Sequence, residues 1–137
     1  MSHFSTIQTK IKDKTALARA LVHMGFKEQV IELFDSPVTL KNYSGSDSNF
    51  KAEIRIKGAG WGNQNAVGGY KNDLGFERAA DGTFVAHVDG HNQQWRERLE
   101  RQYSREVIKG IAREKGFFIE EEVERGDEIF LKVQSAF

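Results

Sequence analysis

Between Phe4 and Ile11 the chain alternates apolar and polar positions, setting Ile7, Thr9 and Ile11 on one side at a period of two, as in a half-buried strand. The period then changes. Leu17, Ala20, Leu21 and Met24 recur at helical spacing, Asp13 offers a carboxylate to cap the helix, and Gly25 supplies a left-handed stop. Val30 to Phe34 and Val38 to Tyr43 read as two strands on either side of an Asp35-Ser36-Pro37 turn, which holds the one proline of the chain. Phe50, Ala52, Ile54 and Ile56 alternate with Lys51, Glu53, Arg55 and Lys57, the clearest one-sided strand in the sequence.

Glycine-rich sequence from Gly58 to Gly69 interrupts the pattern and predicts a loop or bulged edge around Trp61. Leu74–Ala80 and Thr83–Val88 flank Asp81-Gly82, a two-residue hairpin signal whose register sets Phe76 opposite His87. A long helix is predicted from Asn92 to Lys115, with Trp95, Leu99, Tyr103, Val107 and Ile111 one turn apart and Gly116 as its stop. Phe117–Arg125 and Glu128–Gln134 form a closing hairpin, with Phe117, Ile119, Val123, Ile129, Leu131 and Val133 available to a core. A strand, a helix and two strands thus occur twice. This order predicts an α+β fold with a mainly antiparallel sheet and one short and one long helix on one face; the repeated order reads either as two β-α-β-β units or as a chance echo.

Composition narrows the chemistry. The length of 137 residues suits a single domain, residues 1–137, that buries roughly two-thirds of its unfolded surface. Twenty Lys and Arg balance twenty Asp and Glu, so no whole-molecule field steers the chain to nucleic acid or anionic lipid. The absence of cysteine removes disulfides, thiolate nucleophiles and cysteine-held metals. No stretch approaches the roughly 20 apolar residues of a membrane span, and no membrane partner is expected.

Local charge is less even. Arg98, Arg101, Arg105, Lys109 and Arg113 form a basic stripe on the long helix, expected opposite the Trp95–Ile111 row and able to follow phosphates or dock an acidic partner. The alternative is a solvated face with local pairs from Glu97, Glu100, Glu106 and Glu114. Glu120, Glu122 and Glu124 give the next strand an acidic side, suited to protein docking or to discouraging edge pairing. Trp61, among glycines and amides, is a candidate recognition aromatic or a core anchor. The glycines around it match no phosphate-binding signature. His87, Asp89 and His91 have metal-like spacing, but Gly90 and the coming helix interrupt it; no metal and no cofactor are expected. No catalytic set can be specified, and the expectation is a non-catalytic protein-binding or accessory module acting through Arg98, Arg101, Arg105, Lys109 and Trp61. A nucleic-acid binder using the basic face is the alternative, followed by a small-ligand protein with a pocket near Trp61 and the Asp81-Gly82 hairpin.

Four blocks read together resemble a known family. They are Met1-Ser2-His3-Phe4-Ser5-Thr6, the segment NDLGFERAADGT from Asn72 to Thr83, the helix residues Trp95, Leu99, Gln102 and Tyr103, and GFFIEEE from Gly116 to Glu122. This pattern is similar to that of the hypothetical chloroplast open-reading-frame thirty-five family of cyanobacteria and algal plastids. The resemblance implies a small soluble protein linked to photosynthetic lineages and assigns no activity or catalytic residue; the opening MSHFSTIQTKIKDK, without the apolar core of a signal peptide, sets the expectation of a cytoplasm or a plastid stroma. Residues 28 to 70 and the His87/Asp89/His91 series lie outside the matched pattern.

Overall fold

The alternation through Ile54 builds the middle of the fold. The structure is a computed structural model that describes residues 4–42, 44–57, 73–89, 93–126 and 128–135. In chain order these residues form β1 (Phe4–Gln8), α1 (Lys14–His23), a 3-10 turn (Glu28–Val30), β2 (Ile31–Lys41), β3 (Asp47–Ile56), β4 (Leu74–Arg78), β5 (Phe84–Asp89), α2 (Gln93–Glu114), β6 (Phe117–Arg125) and β7 (Glu128–Ser135). Five strands make one antiparallel sheet in the order β1-β5-β4-β3-β2, and β6 and β7 make a separate two-stranded sheet. The α+β architecture is the expected one. The β-α-β-β order does occur twice, but the second hairpin stands apart and does not extend the main sheet.

Ladder register explains the core. Ile54 faces Phe76, Phe76 faces Ala86, and Ala86 faces Ile7, so one apolar row crosses four strands. Against it pack Leu17, Leu21 and Met24 of the α1 region and Trp95 and Leu99 of α2, all in the same buried cluster, which sets both helices on one face. Asp13 caps α1 by accepting the Ala16 N–H at 3.1 Å, and Gly25 turns the chain at φ 107°, as its sequence signals require. The Tyr103 hydroxyl ties the two helices together, accepting the N–H groups of Lys12 and Asp13 at 3.1 and 2.9 Å.

Two expectations about the hairpins are corrected. Ile31 to Lys41 is one strand paired with β3, and Asp35-Ser36-Pro37 lies in a bulge where the register jumps from Leu33–Ile54 to Val38–Ala52. Proline is tolerated there because a bulge on an edge strand leaves its missing N–H unneeded. Beyond the bulge the β2–β3 hairpin bends across the outer face of the main sheet. The Lys41 N–H donates to Asp73 Oδ2 at 2.7 Å, the Asp73 N–H donates to the Lys41 carbonyl at 2.9 Å, and Leu40 is fully buried. Gly75 makes this approach possible, because a Cβ there would lie 2.6 Å from Ala52 Cβ and 2.8 Å from both Leu40 methyls.

The second correction is a one-residue slip. The β4–β5 turn holds three residues, Ala80 to Gly82, closed by Ala79–Thr83 pairing, with Gly82 at φ 87°. An αL glycine ending a three-residue loop shifts the register relative to a two-residue turn. His87 therefore faces Gly75, and its aromatic neighbour is Phe50, with ring centroids 4.7 Å apart, not Phe76.

Candidate interaction surface

The buried side of α2 does not follow the row expected from the sequence. Steps of four residues overshoot a helical turn by about 40° each, so a row from Trp95 to Ile111 drifts by about 160° around the helix. The buried stripe instead advances by alternating fours and threes through Trp95, Leu99, Gln102 and Glu106, while Ile111 is 48% exposed. Seen this way, the basic stripe adjoins the buried face. Arg105 is 11% exposed and Lys109 21% exposed at their side chains. Arg98 is exposed and Arg101 half-buried, and neither has an ion pair among the described residues.

The acidic strand meets the two inner cations. Arg105 Nε pairs with Glu122, its guanidinium reaches Glu124 Oε1 at 3.1 Å, and Lys109 Nζ lies 3.0 Å from Glu122 Oε2. Gln102 completes the ladder, donating to Glu124 Oε1 and accepting from Arg105, both at 3.1 Å. At the end of α1, His23 Nε2 lies 2.9 Å from the 6%-exposed Glu106 carboxylate and beside the Arg105 guanidinium. Charge-assisted bonds of this kind hold geometry as well as energy. The pattern sets Glu106 on a solvated face, marks Gln102 only through the family resemblance and gives His23 no role; the signal for burial is that Gln102 and Glu106 continue the four-three spacing of Trp95 and Leu99.

A bulge in β6 produces this alignment. The ladder runs Ile119–Val133, then skips Glu120 and resumes at Glu121–Lys132 and Glu122–Leu131. One extra residue exchanges the faces. Glu122 and Glu124 consequently turn toward α2 alongside Leu131 and Ile129, and Val123, expected to face a core, turns outward with Phe130.

The helix and the hairpin enclose an open groove of about 670 Å³, whose walls include Arg101, Ser104 and Ile108 of α2 and Ile129, Leu131 and Val133 of β7. Eight large hydrophobic side chains are exposed among the described residues, and six belong to this layer: Ile108, Ile111, Phe117, Phe118, Phe130 and Val133. Elsewhere among the described residues only Val22 and Leu33 are large hydrophobics left exposed.

Other singled-out residues sit elsewhere. Trp61 and its glycine-rich segment lie outside the described residues, as does His91. His87 is 4% exposed, its Nδ1 3.0 Å from Thr6 Oγ1 and its Nε2 2.9 Å from Glu77 Oε1, so both ring nitrogens are engaged by protein groups. Asp81 accepts the Thr83 hydroxyl at 2.6 Å and the Thr83 N–H at 2.9 Å, and these bonds, the hydroxyl first, hold its carboxyl below the ordinary 3.8. Asp81 is thereby part of the turn. No helix among the described residues is long and apolar enough to cross a membrane, and no group of three metal-ligating side chains gathers among them.

Fold and surface together define a small α+β protein whose distinguishing part is a helix-and-hairpin layer with apolar side chains in the open. The chain is 30% identical over a 138-residue alignment, spanning 98% of its length and 97% of the relative, to a protein of Cyanophora paradoxa named "Uncharacterized protein ycf35". It belongs to the ycf35 family, the chloroplast open-reading-frame family that its sequence pattern resembles. No family model matches the chain, and no solved structure matches it.

Proposed function

We propose that this protein is a non-catalytic protein-binding module that engages its partners through the α2–β6–β7 layer. The observation that carries the reading is that six of the eight exposed large hydrophobic side chains among the described residues lie on this one layer, with Ile108 and Val133 lining its open groove. Exposed apolar surface rimmed by charge is a usual form of a protein contact site. Arg98 and Arg101 stand at or near the groove as rim cations, suited to setting orientation and encounter rate. Its place of action, on this reading, is a cytoplasm or a plastid stroma.

Nucleic-acid binding through the basic stripe is the weaker reading. Two of its five cations, Arg105 and Lys109, are committed to Glu122 and Glu124, so a phosphate backbone would have to displace carboxylates of the same chain. A tagged pull-down from native lysate at low salt, with and without nuclease, separates the two when Ile108→Asp and Arg98→Glu/Arg101→Glu variants run beside the wild type. A stoichiometric, nuclease-resistant partner retained by the wild type and lost with Ile108→Asp is the expected result. Binding that vanishes with nuclease and with Arg98→Glu/Arg101→Glu, while Ile108→Asp still binds, overturns it.

A further inference from the structure

The four outer edges of the two sheets are not equally protected. β1 is only five residues long, β2 carries the bulge and Pro37 together with Glu32, Asp35 and Lys41, and β6 carries the bulge at Glu120 within a run of glutamates. These devices are ways in which proteins blunt an edge against pairing. β7 has none of the three. It is eight residues long, contains no proline, pairs only with β6 on its inner side, and presents the run Glu128-Ile129-Phe130-Leu131-Lys132. Phe130 is 49% exposed and Val133 41% exposed. A two-stranded sheet depends on packing for its stability, and α2 covers only one of its faces.

The run is self-complementary when reversed about Phe130. In an antiparallel pairing of two copies related by a two-fold axis at that residue, Glu128 meets the partner's Lys132, Ile129 meets the partner's Leu131, and Phe130 meets its own counterpart. Every position then faces its chemical match. Acid meets base on the outer side of the sheet, aliphatic meets aliphatic on the side that carries α2, and two aromatic rings meet at the axis. Lys132 gives up little to enter such a pair, since its contact with Glu120 spans 3.7 Å and both side chains are well exposed, at 64% and 41%.

We propose that β7 is the homodimerisation edge of this protein, joining two β6–β7 hairpins into a four-stranded antiparallel sheet centred on Phe130. The inference deepens the protein-binding reading by naming a second copy of the chain as the occupant of one edge of the layer. It rests on that reading.

The test is a charge exchange read by analytical ultracentrifugation. The wild type is expected to be a dimer at micromolar concentration. Glu128→Lys and Lys132→Glu, each alone, set like charges opposite one another twice per dimer and are expected to raise the dimer dissociation constant by about tenfold or more. Mixing the two variants re-creates both opposite-charge pairs, so a heterodimer of near wild-type affinity is the expected result, as is recovery in the Glu128→Lys/Lys132→Glu double variant. Unchanged circular dichroism in each single variant, and an unfolding midpoint equal to that of the wild type when both are diluted to the monomer, show that the effect is one of association. A monomeric wild type overturns the proposal. So does a dimer indifferent to both single substitutions, or two weakened variants that fail to rescue each other. A monomer that still retains a nuclease-resistant partner in the pull-down defeats this inference alone and leaves the protein-binding reading intact.

Discussion

Gly75 shows how much one residue without a side chain determines here. It lies opposite Arg55 and His87 on the outer face of the main sheet, where Ala52 and Leu40 close over it at distances that admit no Cβ. Gly75→Ala is expected to destabilise the fold by about 1 to 3 kcal/mol through overpacking. Gly82→Ala, where a Cβ meets nothing and only the φ of 87° opposes it, is expected to cost about 1 kcal/mol. Urea midpoints compare the two, and an unchanged Gly75→Ala midpoint contradicts the close approach of the β2–β3 hairpin. Asp81 supplies a second residue-scale expectation. Because bonds from Thr83 hold its carboxyl below the ordinary 3.8, its stabilising contribution is complete above that value and is lost as the pH falls through the lowered folded value. Asp81→Ala is therefore expected to be less stable than the wild type at pH 7, with the difference shrinking as both are acidified below about pH 4. A difference that grows on acidification contradicts that sign. The turn itself was legible from Asp81-Gly82, and only its length was misread. A three-residue loop and a two-residue loop share this dipeptide, and one residue moves His87 from Phe76 to Gly75.

At the scale of elements, the bounds of α1, α2, β6 and β7 follow from capping residues, glycine stops and periodicity, and the structure places them within a residue or two of expectation. What the pattern did not reveal was rotation. A row of apolar residues spaced by four looks like a core face, but it winds around the helix, and the residues that stay buried include Gln102 and Glu106, which composition alone assigns to solvent. The β6 bulge is similarly invisible, since Phe117, Ile119 and Val123 alternate as an unbroken strand would. Those two facts turn a basic stripe and an acidic strand into partners within one molecule. Arg105→Met keeps much of the apolar stem but leaves Glu122, Glu124 and Gln102 without their shared donor, so a loss of about 2 kcal/mol is expected. Arg105→Met/Glu122→Met is expected to lose less than the sum of the two single changes. Urea denaturation of the four proteins gives the coupling, and strict additivity contradicts the ladder.

The whole molecule is a main sheet with both helices on one face, and a hairpin held against α2 largely by ion pairs and hydrogen bonds. The α+β class and the family were legible in the chain; the order β1-β5-β4-β3-β2 was not, because the sequence pattern states which strands exist and leaves open which edges meet. Of the candidate residues, Arg98, Arg101, Arg105 and Lys109 sit on α2 beside the proposed surface, while the sequence pattern assigns Ile111, Phe117 and Val133 to a core from which the structure leaves them exposed. An exposed hydrophobic strand and a buried one share the same alternation, and only the packing distinguishes them. The claim that this layer is the working surface is tested most directly by hydrogen–deuterium exchange on the protein alone and in the nuclease-treated complex recovered from lysate. Added protection confined to the segments 101–111 and 117–133, with β1 to β5 unchanged, is the predicted result. Protection falling on the β1–β5 sheet, with the helix-and-hairpin layer exchanging as in the free protein, contradicts it.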